Sequence, residues 1–259
     1  NMLGSDTNWM MPNGTWAYSY GKSQNVNPNL GWEEKKEWNL GVDYSFFNGR
    51  LYGKFDYYRR KVENLLFSVK VPQPPYTQGS QMQNIGSMES KGWEFEVGGN
   101  IIRTKDFTWS SNLNLSHNTG KILTLEGDNS YHNGNGFVAP GTPGDAARME
   151  AGSTIGSFYI WKFAGFDDDG GFLLYNKDGE VIPAAQKTEN DKQYIGNYTP
   201  KLVIGWSHTL TYKNFDLGIN LRSWIDFDVY NTINMYYGIQ GQGNLNVLKD
   251  AYGKFNHIK

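Results

Sequence analysis

Carboxylates are the first side chains in this sequence that could carry chemistry. Glu94 and Glu96 stand two residues apart, so on a strand they would lie on one face, roughly 7 Å from each other. That spacing can be mistaken for the carboxylate pair of a glycosidase. Charge on the polar face of a strand explains both residues more simply, and the sequence contains no nucleophile elbow, phosphate loop or HExxH motif. We therefore expect no enzymatic activity.

Potential metal ligands are also poorly grouped. The run from Asp167 to Gly170 hints at calcium, but it lacks the ligand spacing of an EF-hand loop, so a plain acidic turn is the favoured interpretation. The histidines show no ligand spacing, and the chain has no cysteine. The four histidines are His117, His132, His208 and His257. We expect neither a metal site nor a cofactor.

Aromatic rings are the third group, at 15% of residues. Exposed rings can stack on sugar faces, but they also anchor loop packing and protein interfaces. Four rings in long connecting segments are candidates for contact with a substrate or partner. They are Tyr76, Tyr131, Tyr159 and Trp161.

The elements that must position these residues are six segments in which apolar and polar residues alternate. In the first, Trp38, Leu40 and Val42 point one way, while Asn39 and Gly41 point the other. This period of two predicts strands with one apolar face each. The segments lie at about residues 38–46, 51–60, 93–101, 107–116, 202–212 and 215–222.

The connections between these strands are sorted by length. Very short turns lie at residues 47–50, 103–106 and 212–215, whereas the other links run from about 68 to 85 and from about 125 to 198. Tight turns at one end and long loops at the other are typical of an outer-membrane β-barrel. The sequence therefore predicts an all-β section of a transmembrane antiparallel barrel with long extracellular loops.

The alternation also assigns the two faces of each strand. One face should meet outer-membrane lipid and the other the barrel lumen. The residues expected to face lipid include Leu40, Val97, Leu113 and Ile219, and those expected to face the lumen include Asp43, Glu96, Asn112 and Asn220.

Composition excludes some other classes. No apolar run approaches the ~20 residues of a membrane helix, so any spanning elements must be strands. The net charge of −2 argues against a nucleic-acid partner, which would require a basic patch. A soluble β-rich carbohydrate-binding module remains the alternative. It would explain the asparagine, glycine and aromatic content but not the one-sided loops.

Both ends of the chain suggest a piece of something larger. The first residues lack the charged and apolar regions of a signal peptide. Six strands are also fewer than the roughly eight at which single-chain bacterial barrels begin. We expect residues 1–259 to form part of a larger barrel and not to fold alone in a membrane.

Several blocks resemble the SusC/RagA type of TonB-dependent transporter of Bacteroidetes. They fall in the family's order between about residues 27 and 231. The blocks are Asn27–Glu33, Trp38–Asp43, Asn48–Leu51, Asp56–Tyr58, Asn84–Glu94, Arg103–Trp109, Ser116–Asn118, Gly156–Tyr159, Ile195–Lys201 and Tyr212–Leu217. One departure is Tyr198, which stands where the family often has proline. A second departure is the stretch Asn176–Glu180, which stands where the family often carries an acidic turn, so the resemblance does not extend to a family-specific ion site there.

The resemblance implies nutrient import across the outer membrane, with an oligosaccharide favoured over a peptide. It implies energy supplied through TonB and a SusD-like surface lipoprotein that covers the outer mouth. It also implies a C-terminal section of a barrel of about 22 strands, with the plug domain and the final strands absent from this sequence.

If the tight turns are periplasmic, the long segments lie outside the cell. Residues 125–198, together with the loop from Pro72 to Gln83, are then expected to help form the mouth that meets the lid and nutrient. The segment 125–198 carries eleven acidic and five basic residues, a net charge of −6, so strongly polyanionic ligands would be repelled.

Overall fold

The structure, a computed structural model, describes residues 3–125, 131–133, 146–238, 246–249 and 251. Strands dominate this part of the chain. Their bounds are β1 (Leu3–Met10), β2 (Trp16–Lys22), β3 (Glu34–Phe46), β4 (Leu51–Glu63), β5 (Leu66–Lys70), β6 (Ser80–Asn84), β7 (Ser87–Arg103), β8 (Phe107–Thr124), β9 (Tyr131–Asn133), β10 (Arg148–Glu150), β11 (Ser157–Phe166), β12 (Phe172–Tyr175), β13 (Val181–Pro183), β14 (Lys192–Asn197), β15 (Leu202–Tyr212) and β16 (Phe215–Ile225). The helical elements that are described in full are α1 (Thr232–Tyr237) and two 3₁₀ turns at Ala184–Gln186 and Glu189–Asp191. No helix among the described residues is long and apolar enough to cross a membrane.

The six predicted strands form one antiparallel sheet, which we call the wall sheet. Its order is β16-β15-β8-β7-β4-β3, so consecutive strands of the set are neighbours in space. The pairing of β8 with β15 is the long-range step, because residues 125–201 separate these two strands. The predicted fold class is confirmed.

The register keeps apolar side chains together on one face. Val97 lies opposite Leu113, which in turn lies opposite Trp206. This face is uncovered in the described chain, with Leu40 66% and Leu217 55% exposed. Large aliphatic side chains at that exposure fit contact with lipid tails rather than water.

Tight turns join the wall strands at what we call the turn end. Asn48 and Gly49 both have positive φ, at 56° and 80°, and the Arg50 N–H donates to the Phe47 carbonyl over 3.2 Å. Two central residues with positive φ are what a type I′ hairpin turn requires. The Lys213 N–H donates to the Asp106 carbonyl over 2.8 Å, which ties two of the turns together.

All further elements extend from the opposite end of the wall sheet, the loop end. There β5 pairs with β6, and β13, β12, β11 and β14 form, in that order, a four-stranded outer sheet. Ile122 of β8 and Phe158 of β11 are both buried. The Ile122 N–H donates to the Ser153 carbonyl over 3.0 Å, and Phe158 pairs with Ala147.

Candidate functional site

The polar face of the wall sheet carries paired charges. Arg60 lies opposite Glu37 in the register, and its Nη2 is 3.1 Å from Glu37 Oε1. Glu96 is engaged from two sides, because Asn112 Nδ2 donates to it over 2.8 Å and Lys54 Nζ lies 3.8 Å away. The face is thus a hydrogen-bonded polar surface suited to an aqueous lumen.

The carboxylate pair considered from the sequence takes the same lumenal position. Glu94 lies directly opposite Asp56, and Glu96 directly opposite Lys54. Glu96 thus belongs to the network with Lys54 and Asn112. The arrangement matches the interpretation of these residues as lumen-facing charge.

A crevice of about 440 Å³, lined by both polar and apolar atoms, lies near the loop end of the wall sheet. It forms because β8 runs on to Thr124, whereas β15 begins at Leu202, close to the point where Val203 pairs with Ser116. Beyond this point β8 bonds to another segment, with the Ile155 N–H donating to the Gly120 carbonyl over 2.9 Å. The residues lining the crevice include His117, Asn118, Thr154, Asn197, Lys201, Asp226 and Asp228.

The charged groups of this crevice are held by the adjoining backbone and by each other. Asp228 accepts a hydrogen bond from the Asn197 N–H over 2.9 Å. Lys201 Nζ donates to Asp226 over 2.5 Å, and this hydrogen bond raises the pKa of the lysine above its usual value. The crevice therefore offers fixed donors and acceptors to a polar ligand.

A single carboxylate organises one edge of the outer sheet. Asp191 accepts hydrogen bonds from the Thr188 hydroxyl and the Thr188 N–H, each over 2.7 Å, and from the Lys177 N–H over 3.2 Å. These bonds, led by that of the Thr188 hydroxyl, hold the pKa of Asp191 below its usual value. Asp191 thus ties the 3₁₀ turn before β14 to the turn after β12.

Two of the four candidate aromatic residues lie together on β11. The Arg148 guanidinium carbon stands 4.7 Å from the Tyr159 ring centre, and the Tyr194 ring packs 5.0 Å from the same ring. Trp161 donates its indole N–H to the Thr188 carbonyl over 2.8 Å. Both rings therefore already have partners in the outer sheet or in the segments beside it.

Lysines add to the contacts of Trp161. Lys192 Nζ lies 4.4 Å and Lys187 Nζ 5.3 Å from the centre of its ring. Such cation–π contacts use the ring face that a sugar would otherwise cover. The assignment of Trp161 to substrate contact stays a prediction, and the contacts seen here also give the ring a structural role.

The other two candidates lie in separate segments. Tyr76 is half-exposed in the loop between β5 and β6, where its N–H approaches the Pro72 carbonyl at 3.4 Å. Tyr131 begins β9 and pairs with Glu150 of β10, but its side chain lies outside the described part of the structure.

The outer sheet also carries an exposed cluster of three phenylalanines. The candidates named from the sequence were all tyrosine or tryptophan and did not include it. Phe163, Phe166 and Phe172 remain 51%, 41% and 49% exposed. Their ring centres are 5.1 to 6.1 Å apart. The signal was present as two apolar runs on either side of the acidic turn, but only the pairing of β11 with β12 brings the rings together.

The acidic run has a structural explanation. Asp167 Oδ1 accepts hydrogen bonds from the Asp169 N–H over 3.0 Å and from the Gly171 N–H over 2.6 Å, which closes the turn. Within the described ranges, no group of three or more histidines and carboxylates is placed to hold a metal ion.

The family model described as "TonB dependent receptor-like, beta-barrel" matches residues 4–231. The TonB-dependent receptor P3 of Formosa agariphila is 34% identical over 226 residues, which cover 80% of this chain and 22% of that protein. The TonB-dependent receptor SusC of Bacteroides thetaiotaomicron is 33% identical over 227 residues, which cover 85% of this chain and 22% of SusC. The chain thus spans about a fifth of the length of these relatives.

Among solved structures, the chain is similar to one described as the RagAB peptide transporter. The TM-score is 0.75 at 24% sequence identity, over 93% of this chain and 26% of the other. At that identity the likeness supports the barrel fold and nothing finer.

Proposed function

Because the chain belongs to the TonB-dependent receptor-like β-barrel family, we propose that it forms part of a transporter that imports an oligosaccharide nutrient across the outer membrane. Energy reaches this transporter through TonB, and a SusD-like lipoprotein closes its outer mouth. Residues 1–259 contribute a section of the C-terminal barrel, and the plug lies elsewhere in the transporter. The section has no catalytic role.

The chain is an outer-membrane protein section related to SusC and to TonB-dependent receptors. The observation that best supports transport is the sorting of its surfaces. One face of the wall sheet is apolar and uncovered, the other is polar and hydrogen-bonded, and the outer sheet lies at the loop end. A barrel wall needs this arrangement to separate lipid from a water-filled path.

We assign the outer sheet to contact with the SusD-like lipoprotein that closes the outer mouth. Exposed aromatic rings commonly anchor protein interfaces, where a few buried rings dominate the binding energy. Phe163, Phe166 and Phe172 provide such rings on the β11–β12 hairpin. The exposed carboxylates of Asp168 and Asp169 beside them would favour a basic rim on the partner.

Neutral oligosaccharides fit the outer region better than anionic ones. The net charge of −6 over residues 125–198 disfavours polyanions. The crevice near Asn197 and Lys201 offers the hydrogen-bonding groups that hydroxyls require. A peptide is the second candidate, because a solved relative in fold is described as a peptide transporter.

The register of the outer sheet allows a clean test by deletion. Trp161 pairs with Lys192, so residues 162–191 can be replaced by an Asn-Gly turn that closes β11 directly onto β14. In a full-length transporter, this deletion should weaken retention of the lipoprotein and growth on the nutrient, while insertion into the membrane stays normal. Growth would be compared on neutral oligosaccharides, on acidic oligosaccharides and on peptides as the limiting nutrient.

A double variant distinguishes loss of lipoprotein binding from loss of nutrient binding. Phe163→Ser with Phe172→Ser should reduce co-purification of the lipoprotein, whereas Val229→Ser, at another exposed apolar position, should not. Unchanged co-purification and growth in a normally inserted deletion variant would refute the proposed role of the outer sheet. If cells need the transporter for growth on peptides but not for growth on oligosaccharides, the cargo is a peptide, the second candidate.

A further inference from the structure

The lipid-facing side of the wall sheet changes character near the loop end. Leu40, Tyr57, Trp93 and His117 form one row across four strands. The next row toward the loop end contains Trp38, Arg59, Lys91 and Thr119, and the row beyond it contains Lys36, Lys61, Glu89 and Lys121. The apolar surface thus gives way to a band of charge within about two residues along each strand.

The height of this band corresponds to the lipid headgroups. Arg59 lies eight residues along β4 from Leu51, which follows the turn. At about 3.3 Å per residue and a tilt of about 40°, that distance corresponds to roughly 20 Å of membrane depth. The apolar band of such barrels is about 25 Å tall and ends at aromatic girdles, a position occupied here by Trp38, Tyr57 and Trp93.

Most charges in the band have partners in the chain. Arg59 Nη2 is 2.5 Å from Glu89 Oε2, and Lys61 Nζ is 2.7 Å from Glu63 Oε1. Lys36 also pairs with Glu63. Glu34 Oε2 lies 3.9 Å from Lys36 Nζ, so Glu34 and Glu63 together balance Lys36 and Lys61.

Lys91 and Lys121 are different. Both are exposed, and neither forms an ion pair with any described residue. Lys91 lies directly opposite Arg59, and Lys121 directly opposite Glu89, whose carboxylate is already bound to Arg59.

Three cations therefore surround a single carboxylate, which leaves a local charge of +2 on the lipid side. Like charges directly opposite each other destabilise a sheet, with Cβ atoms only about 5 Å apart. An anion between Arg59, Lys91 and Lys121 would relieve this repulsion.

We infer that Arg59, Lys91 and Lys121 bind the phosphorylated headgroup of an outer-leaflet lipid. The lipid tails lie along the apolar rows below, and the phosphate meets the ammonium groups of Lys91 and Lys121 and the free edge of the Arg59 guanidinium. Charge complementarity at headgroup depth favours a membrane lipid over a protein partner, because cations near a charged membrane surface each add to binding. The site lies on the outside of the barrel and serves its anchoring in the membrane.

The test uses a full-length transporter in lipid nanodiscs, with bisphosphorylated lipid A and the same lipid after removal of both phosphates as probes. Lys91→Gln with Lys121→Gln should weaken binding of the phosphorylated probe about fivefold for each lysine and leave binding of the dephosphorylated probe unchanged. Lys91→Arg with Lys121→Arg should retain binding. Inorganic phosphate forms a third arm and should compete poorly, because it lacks the tails.

The matched control is Lys105→Gln with Lys213→Gln. It removes the same charge from exposed lysines at the turn end and should leave binding unaltered. Heat-modifiable migration on gels would verify that every variant is folded. If the double variant of Lys91 and Lys121 does not fold, the two single variants are measured in its place. Equal binding of both lipid probes, an equal loss in the control, or competition by inorganic phosphate at the same concentration as the lipid would each overturn the inference.

Discussion

At the scale of single residues, the wall sheet depends on tyrosine rings packed over glycines of the next strand. Tyr58 covers Gly92 and Tyr52 covers Gly98, both on the polar face. A glycine in a strand has no side chain to pack and costs conformational entropy, so a neighbouring ring restores contact there. These glycines are required for close approach, although their backbone is ordinary strand.

We expect Gly92→Ala to destabilise the barrel by about 1 to 3 kcal/mol through overpacking. The added Cβ would collide with the His117 carbonyl oxygen and would lie 2.6 Å from the Tyr58 hydroxyl. Gly205→Ala is the control, because β15 has both of its neighbouring strands in this chain and the nearest described atom to the added Cβ would be the Asn114 Cβ at 3.8 Å. Urea unfolding of the full-length barrel in vesicles measures both variants, and equal midpoints would contradict the packing argument.

The assignment of faces gives a second prediction at this scale. Ile219→Arg places a charge on the lipid side and should cost about 2 to 4 kcal/mol near the membrane midplane. Asn220→Arg, its neighbour on β16, points into the lumen and should cost far less. Ile219 and Asn220 are consecutive residues of β16, paired in register with His208 and Ser207, so their side chains point to opposite faces of the sheet. Folding yield in bilayers is measured for both variants of the full-length transporter. Equal losses in Ile219→Arg and Asn220→Arg would mean that the faces are wrongly assigned.

At the scale of elements, the outer sheet depends on one ionised carboxylate. The Thr188 hydroxyl and N–H lower the pKa of Asp191 below its ordinary value near 3.9. Because the folded-state pKa is the lower one, this contribution to stability is complete above about pH 4 and is lost as the pH falls through the folded-state pKa.

Hydrogen exchange at the Thr188 amide should therefore show constant protection above about pH 4 and falling protection in more acidic solution. Asp191→Asn should remove this dependence and lower protection above about pH 4, where the parent carboxylate is ionised. Asp178→Asn, on the exposed turn after β12, should behave as the parent. A parent protein whose protection does not change with acid would show that Asp191 does not control this edge.

At the scale of the whole molecule, the wall sheet has two open edges. Within the described chain, β3 has only β4 as a neighbour, and β16 has only β15. Each open edge would expose a row of unpaired N–H and carbonyl groups to lipid, which costs several kcal/mol for each group.

The isolated 259-residue chain should consequently fail to form a heat-modifiable, protease-resistant barrel in vesicles. The full-length transporter, refolded in parallel, should form one. Cold and boiled gel samples after proteinase treatment give the readout. A compact species from the isolated chain would mean that its edges can close on each other.

The sequence alone determined the six wall strands, their faces and the end at which the loops lie. Those features are local, because a period of two and a short turn such as Asn48-Gly49 act on neighbours in the chain. The resemblance to SusC-type transporters was likewise carried by short ordered blocks, and the comparisons confirm it. The sequence also identified the acidic run as a turn.

Only the tertiary structure decided which outer residues meet. The rings of Phe163 and Phe172 come together because β11 pairs with β12. Lys192 reaches the Trp161 ring because β14 pairs with β11. The crevice exists because β8 is longer than its partner β15, and Lys91 stands opposite Arg59 because of the register between β4 and β7. These contacts join residues far apart in sequence, so they depend on strand pairing and packing, which a local pattern does not specify.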